Sequence, residues 1–168
     1  MTYSLVARDA ETGELGVAVQ SRSINVGRAV PWALAGVGAV ATQSLTEKAY
    51  GPRGLGLLEE GRTPGAALEA LLADDELPGV RQVAIVAADG STAAHTGADC
   101  VPAAGHVETH GSSAQGNMLR STDVVPAMAE AFAAAGGTLA ERLLAGLDAA
   151  EEAGGDIRGR QAAALLVV

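Results

Sequence analysis

The spacing of apolar residues alternates between two periods along this chain, and the order of the switches limits the fold more than any other feature. Thr2 to Arg8 alternates with period two, with Tyr3, Leu5 and Ala7 on one face and Thr2, Ser4 and Val6 on the other. The turn formers of Asp9 to Gly13 close a hairpin onto Gly16 to Gln20. Val30 to Leu34 and Gly38 to Gln43 form a second apolar pair joined through Gly36, with small residues suited to strands covered on both faces. Helical spacing then takes over. One helix is predicted from about Pro52 to Glu60, stopping at Gly61. A second starts at Thr63-Pro64, a capping hydroxyl followed by proline at the first helical position, and buries Leu68, Leu71 and Leu72. Strands return at Gln82 to Ala88 and Ser91 to Thr96 around Asp89-Gly90, followed by a loop-rich stretch from Gly97 to Ser121. Val124, Val125, Met128 and Phe132 mark a third helix. Thr138 and Glu141 form a capping box for a fourth, which buries Leu139, Leu143 and Leu147 and stops at Gly154-Gly155. Ala162 to Val168 closes the chain as an apolar strand. Strands, two helices, strands, two helices, strand is not regular βαβ alternation. It predicts an α/β (α+β) fold, a layered sandwich of antiparallel sheets with helices outside.

The core must be made from small residues. Apolar residues are 48% of the chain and aromatics only 2%, the aromatic set being Tyr3, Trp32, Tyr50 and Phe132. Ala, Val and Leu, with glycine allowing close approach, imply thin, tightly packed layers. The length of 168 residues fits a single domain over 1–168. A formal net charge of −9 argues against nucleic acid, whose binding rests on neutralising phosphates, and against anionic membrane surfaces. Cys100 is the sole cysteine and excludes an intramolecular disulfide. No apolar run approaches the roughly 20 residues needed to span a bilayer. The opening Met-Thr-Tyr-Ser-Leu-Val-Ala-Arg lacks the basic and apolar regions of a signal peptide, so a cytoplasmic location is expected. The shortage of large core anchors, with Ala/Leu helices available to bury, predicts a homo-oligomer, a dimer or larger.

Several ordered segments resemble a bacterial domain family of unknown function, number 1028. They are Thr2 to Asp9, Gly13 to Ser21, Val30 to Ala33, Ala35 to Gln43, Tyr50 to Leu55, Gln115 to Leu119 and Gly155 to Gln161, and together they span essentially the whole chain. Two features depart from the family pattern: the end at Val168, and Arg28-Ala29 after Gly27 where small or apolar residues are usual. The resemblance implies an N-terminal-nucleophile (Ntn) hydrolase-like fold, a four-layer αββα sandwich of two stacked antiparallel sheets with flanking helices.

In such hydrolases a Ser, Thr or Cys at the first position attacks an amide carbonyl, and its own α-amine takes the proton. Thr2 is the candidate here. A terminal amine titrates at about 7.7–8.0, close to working pH. Initiator methionine is commonly removed before a residue as small as threonine. With Met1 attached, Thr2 has an amide nitrogen and no base. Ser4, Gln20, Ser21, Ser23 and Gln43 fall near that start and could line a pocket that orients a substrate amide; the alternative is hydrogen bonding within and between sheets. Gln115-Gly116-Asn117 could bring backbone close to a ligand through Gly116 and offer Asn117 to an oxyanion; the alternative is a tight turn before a helix.

Three further patterns read better as structure. His106, Glu108 and His110 share a face if extended, but lack the spacing of the helical His-Glu-x-x-His zinc motif, and His95 reads as a strand histidine. Gly36 to Ala41 fits a loose Gly-x-Gly-x-x-Ala dinucleotide pattern, yet the following residues still read as strand rather than helix. Asp156, Arg158 and Arg160 could hold a carboxylate or form a structural ion-pair turn. No metal and no cofactor are expected. Two functions remain: an Ntn amidohydrolase acting on a small amide or peptide substrate, or a non-catalytic protein of the same fold that binds a small metabolite or serves in assembly.

Overall fold

A computed structural model describes residues 2–168 of the chain. Among the described residues nine strands form two antiparallel sheets. The first has the order β7-β8-β1-β2-β9, from β1 (Thr2–Arg8), β2 (Leu15–Ser21), β7 (Gly105–Thr109), β8 (Ser112–Asn117) and β9 (Ala162–Val167). The second has the order β3-β4-β5-β6, from β3 (Pro31–Leu34), β4 (Gly38–Ser44), β5 (Arg81–Ala87) and β6 (Thr92–Thr96). Helices α1 (Tyr50–Glu59) and α2 (Pro64–Ala73) lie against the second sheet, and α3 (Val124–Ala134) and α4 (Leu139–Glu152) against the first. The result is a sandwich of antiparallel sheets with helices outside, as the element order predicts, in the four layers that the resemblance implies.

Strand alternation sorts the side chains into three apolar layers. Tyr3, Leu5, Ala7 and Ala18 point outward from the first sheet into Met128, Leu139, Leu143 and Leu147 of the helix pair. Val40, Val83 and Ile85 meet Tyr50, Leu55 and Leu71 on the other outer face. Between the sheets lie Val6, Val17 and Val19 against Ala39, Ala41, Ala84 and Val86. Alanine and valine dominate this middle layer, which lets both sheets also press a helix layer without overpacking.

The predicted helix starts hold. Thr63 Oγ1 accepts from the Ala66 N–H at 3.3 Å with Pro64 at the first helical position, and Thr138 and Glu141 form the reciprocal capping box. One sequence reading does not hold. Residues 97–121 are not loop throughout, because they contain β7 and β8, which pair with each other around Gly111 at φ +87°. Their sequences lack apolar alternation because the face of β8 turned between the sheets is polar. The strand reading of Gly36 to Ala41 holds: Gly36 sits in a turn at φ +73°, Gly38–Ser44 is strand β4, and the loose dinucleotide pattern opens no helix.

Candidate functional site

The middle layer is apolar over most of its extent and polar at one end. β1 is the central strand of its sheet, and Thr2 is its first residue, with Ser21 of β2 and Asn117 of β8 as its direct cross-strand partners. Partners directly opposite in an antiparallel pair share a face, so all three side chains belong to the layer between the sheets. Thr2 Oγ1 donates to Ser21 Oγ at 3.0 Å, and the Ser21 hydroxyl oxygen also accepts the Ser23 N–H at 3.0 Å. Thr2 is 4% exposed in the chain that carries Met1 on its nitrogen.

Below Thr2 the two sheets are joined by carboxamides. Gln43 of β4 accepts from Ser4 Oγ at 2.7 Å, and its Nε2 donates to Gln82 Oε1 at 2.8 Å and to the Thr2 carbonyl at 3.3 Å. Gln82 Oε1 also accepts from Asn117 Nδ2 at 2.8 Å, while Gln82 Nε2 reaches the Gly116 carbonyl at 2.8 Å, Thr96 Oγ1 at 2.9 Å and the Gly105 carbonyl at 3.1 Å. Gln115 Nε2 donates to Ser4 Oγ at 2.6 Å, and its Oε1 accepts from Ser113 Oγ at 2.9 Å. Ser4, Gln43, Gln82, Gln115 and Asn117 are all buried. The cluster contains no ionised group, so it desolvates cheaply as long as its donors and acceptors find each other.

Two residues beside this cluster hold an uncommon backbone. Ser44, next after Gln43, has φ +72°, and Met118, next after Asn117, has φ +52°. Left-handed backbone at non-glycine residues costs about 1–2 kcal/mol each and tends to gather at functional sites. Both lie where a strand leaves the polar end of the sandwich.

The sequence reading meets the structure unevenly. Thr2, Ser4, Ser21, Gln43, Gln115 and Asn117 come together. Ser23 is exposed and contributes its backbone N–H. Gln20 points the other way: its cross-strand partner is Tyr3, so its side chain lies on the helix-facing side, where neither its Oε1 nor its Nε2 has a partner. The period-two rule already separates Gln20 from Ser21. Gly116 has no free space above it, because a Cβ there would lie 2.7 Å from Leu119 Cδ1. Its role is close packing against Leu119, and its carbonyl anchors Gln82. Gln82 and Ser113 also belong to the cluster, although nothing in the sequence singles them out. Gln82 was legible as an inward position, since it shares a face with Ala84 and Val86, but a glutamine at a strand start carries no signal of its own. Ser113 fell within the stretch read as loop.

The remaining candidates lie elsewhere. His106 and Glu108 are on β7 with 3.7 Å between Nε2 and Oε1, while His110 is in the following turn beside Gly90. His95 Nε2 lies 2.9 Å from the Pro78 carbonyl. Among the described residues no cluster of three or more His, Cys, Asp or Glu could hold a metal ion, and no helix is long and apolar enough to cross a membrane. Asp156 binds Arg158 at 3.0 Å, forming an ion-pair turn. A cleft of about 340 Å³ opens over the α1–α2 end, lined by Glu47, Tyr50, Arg53, Asp75 and Arg81, and Thr2 does not line it.

A model of the family described as "Family of unknown function (DUF1028)" matches residues 2–168. The crystal structure of protein SPO2555 from Silicibacter pomeroyi, assigned to the same family model, superimposes with a TM-score of 0.94 at 36% identity, covering 99% of this chain and 73% of that one. No curated protein matches. With the family model covering its described length, this chain belongs to the DUF1028 family.

Proposed function

We propose that the chain is an N-terminal-nucleophile amide hydrolase whose nucleophile is Thr2 after removal of Met1. The observation that carries this reading is the position of Thr2 at the start of the central strand, at the polar end of the inter-sheet layer, with its hydroxyl already oriented by Ser21 at 3.0 Å. In this reaction Thr2 Oγ1 attacks the carbonyl carbon of a small amide or peptide. The α-amine takes the hydroxyl proton and passes it to the leaving amine. Water then cleaves the resulting ester and restores Thr2. Asn117, Thr2's neighbour across β8, spends one N–H on Gln82 and has a second to offer an oxyanion. The Thr2 carbonyl is held by Gln43, which fixes the strand start against the second sheet.

Turnover is expected only from protein that has lost Met1, because the amide nitrogen of the unprocessed chain cannot act as base. The test combines intact mass with a panel of small amides and dipeptides. Processed protein should hydrolyse a member of the panel, Thr2→Ala should lose that activity while still folding, its stability lowered by no more than the about 0.5–1.5 kcal/mol of one hydrogen bond, and Thr2→Ser should retain part of it. Equal turnover by Thr2→Ala sinks the mechanism.

The closure of the carboxamide network favours a second reading. Gln43, Gln82 and Asn117 hydrogen-bond one another and the backbone, and the Gln115 carboxamide bonds the Ser4 and Ser113 hydroxyls, rather than an open cavity, as a structural seam would. On that reading the protein is a non-catalytic binding or assembly unit, and processed protein stays inert across the panel.

A further inference from the structure

The carboxamide seam does not end inside the protein. From Gln82 it continues through Thr96 Oγ1, at 2.9 Å, to His106 Nδ1, at 2.8 Å, and the other ring nitrogen of His106 lies 3.7 Å from Glu108 Oε1. Thr96 is on β6 and His106 on β7, the edge strands of the two sheets, which meet along this side of the sandwich. His106 is exposed, whereas Gln82 is fully buried. An unbroken line of hydrogen bonds therefore runs from solvent to the groups that hold the Thr2 carbonyl and the Asn117 amide.

We propose that His106 is a positioning residue whose protonation state is transmitted through Thr96 to the Gln82 carboxamide, and so to the polar cluster at Thr2. The polarity of the line is fixed at its inner end. Gln82 Oε1 faces two donors, Gln43 Nε2 and Asn117 Nδ2, so the Gln82 amide cannot turn over, and its Nε2 must point at Thr96. Thr96 Oγ1 consequently accepts from Gln82. With His106 neutral and its proton on Nε2 toward Glu108, the Thr96 hydroxyl donates to Nδ1, and every member of the line is both donor and acceptor. Protonation of His106 reverses the last link. Nδ1–H now donates to Thr96 Oγ1, which then accepts twice and turns its own proton elsewhere. A hydroxyl relieved of its acceptor is less polarised and holds Gln82 Nε2 less strongly. Gln82 is then left leaning on the Gly105 and Gly116 carbonyls.

Little else competes for control of this ring. On its own strand the charged neighbour is Glu108. Across β8 its register partner is Gln115, with Ser113 opposite Glu108, both uncharged. From β6 it meets Thr96. Thr122, Val125 and Pro126, at and before the start of α3, share a cleft with it and are uncharged, and in the cleft on the other side the titratable group is the Cys100 thiol. Histidine is the side chain whose charge ordinarily changes between about pH 5 and 8.

Any effect on catalysis rests on the reading of Thr2 as nucleophile. The coupling itself is measured on the resting protein, so either can fail alone. The experiment follows the Gln82 side-chain amide and the His106 ring by nitrogen–proton NMR from pH 5 to 8. In the native sequence the Gln82 Nε2 resonance should move with the same midpoint as the ring. Thr96→Val should leave His106 titrating and Gln82 flat. His106→Asn, which keeps a hydrogen-bonding group near the Nδ1 position without a titrating one, should also leave Gln82 flat. A Gln82 resonance that stays still while His106 titrates, or one that moves equally in Thr96→Val, overturns the proposal.

Discussion

The carboxamides of Gln43 and Gln82, Cα partners on adjacent strands β4 and β5, hydrogen-bond each other at 2.8 Å, and each then reaches across to the opposite sheet. The pair is a bridge between layers as well as a rung within one sheet. Where valine and alanine close the rest of the middle layer, these two amides close its polar end.

That bridge predicts a large penalty for Gln82→Leu. The leucine would fill similar volume but leave the Asn117 and Gln43 amides without their shared acceptor, and it would remove the donor that Gln82 extends to the Gly105 and Gly116 carbonyls of the opposite sheet. Each buried group orphaned in this way costs about 1–3 kcal/mol. Denaturant unfolding should register a loss of about 3 kcal/mol with an unchanged m-value, and a loss below about 0.5 kcal/mol would mean that water replaces the bridge freely.

A second buried contact predicts the acid behaviour. Asp75 binds Arg81 through Oδ2–Nε at 2.7 Å and Oδ1–Nη2 at 3.1 Å, and accepts the Tyr50 hydroxyl. The Arg81 guanidinium, with help from Tyr50 and the Leu77 N–H, holds the Asp75 carboxyl well below the usual carboxylate range, while burial and the Asp75 carboxylate push the Tyr50 phenol up. A depressed carboxyl contributes stability above its unfolded value, about 3.9, and loses it as pH falls toward the folded value. Asp75→Asn takes from Arg81 its hydrogen-bonded counter-charge, leaving Glu47 as the acidic neighbour, and should cost about 1.5–3 kcal/mol at pH 7. The gap between native and variant stability should stay constant from pH 7 to about pH 5 and narrow below pH 4. A gap independent of pH down to acid unfolding would contradict this assignment.

Gln20 predicts a gain. It is 5% exposed, and both polar atoms of its amide lack partners. Gln20→Met keeps the length of the side chain and removes the desolvated amide, so it should stabilise the fold by about 1 kcal/mol. For a chain of this size that corresponds to a rise of about 2–4 °C in Tm. A fall in Tm would contradict the reading of the Gln20 amide as an uncompensated burial.

The sequence by itself determined the architecture. Period-two alternation in Thr2 to Arg8 decided which of its residues face the helices and which face the other sheet, and cap residues at Thr63 and Thr138 decided where helices start. These are local properties, set by backbone geometry within a few residues. Gathering the polar residues into one place was decided only by tertiary structure. Ser4, Gln43, Gln82 and Gln115 are separated by up to 111 residues and meet because two sheets stack in one particular register. Strands β7 and β8 were illegible for the same reason. Their inward face, Ser113, Gln115 and Asn117, is polar, and such a face can be buried only if another sheet brings matching amides to it. No pattern within one segment records what the facing segment supplies.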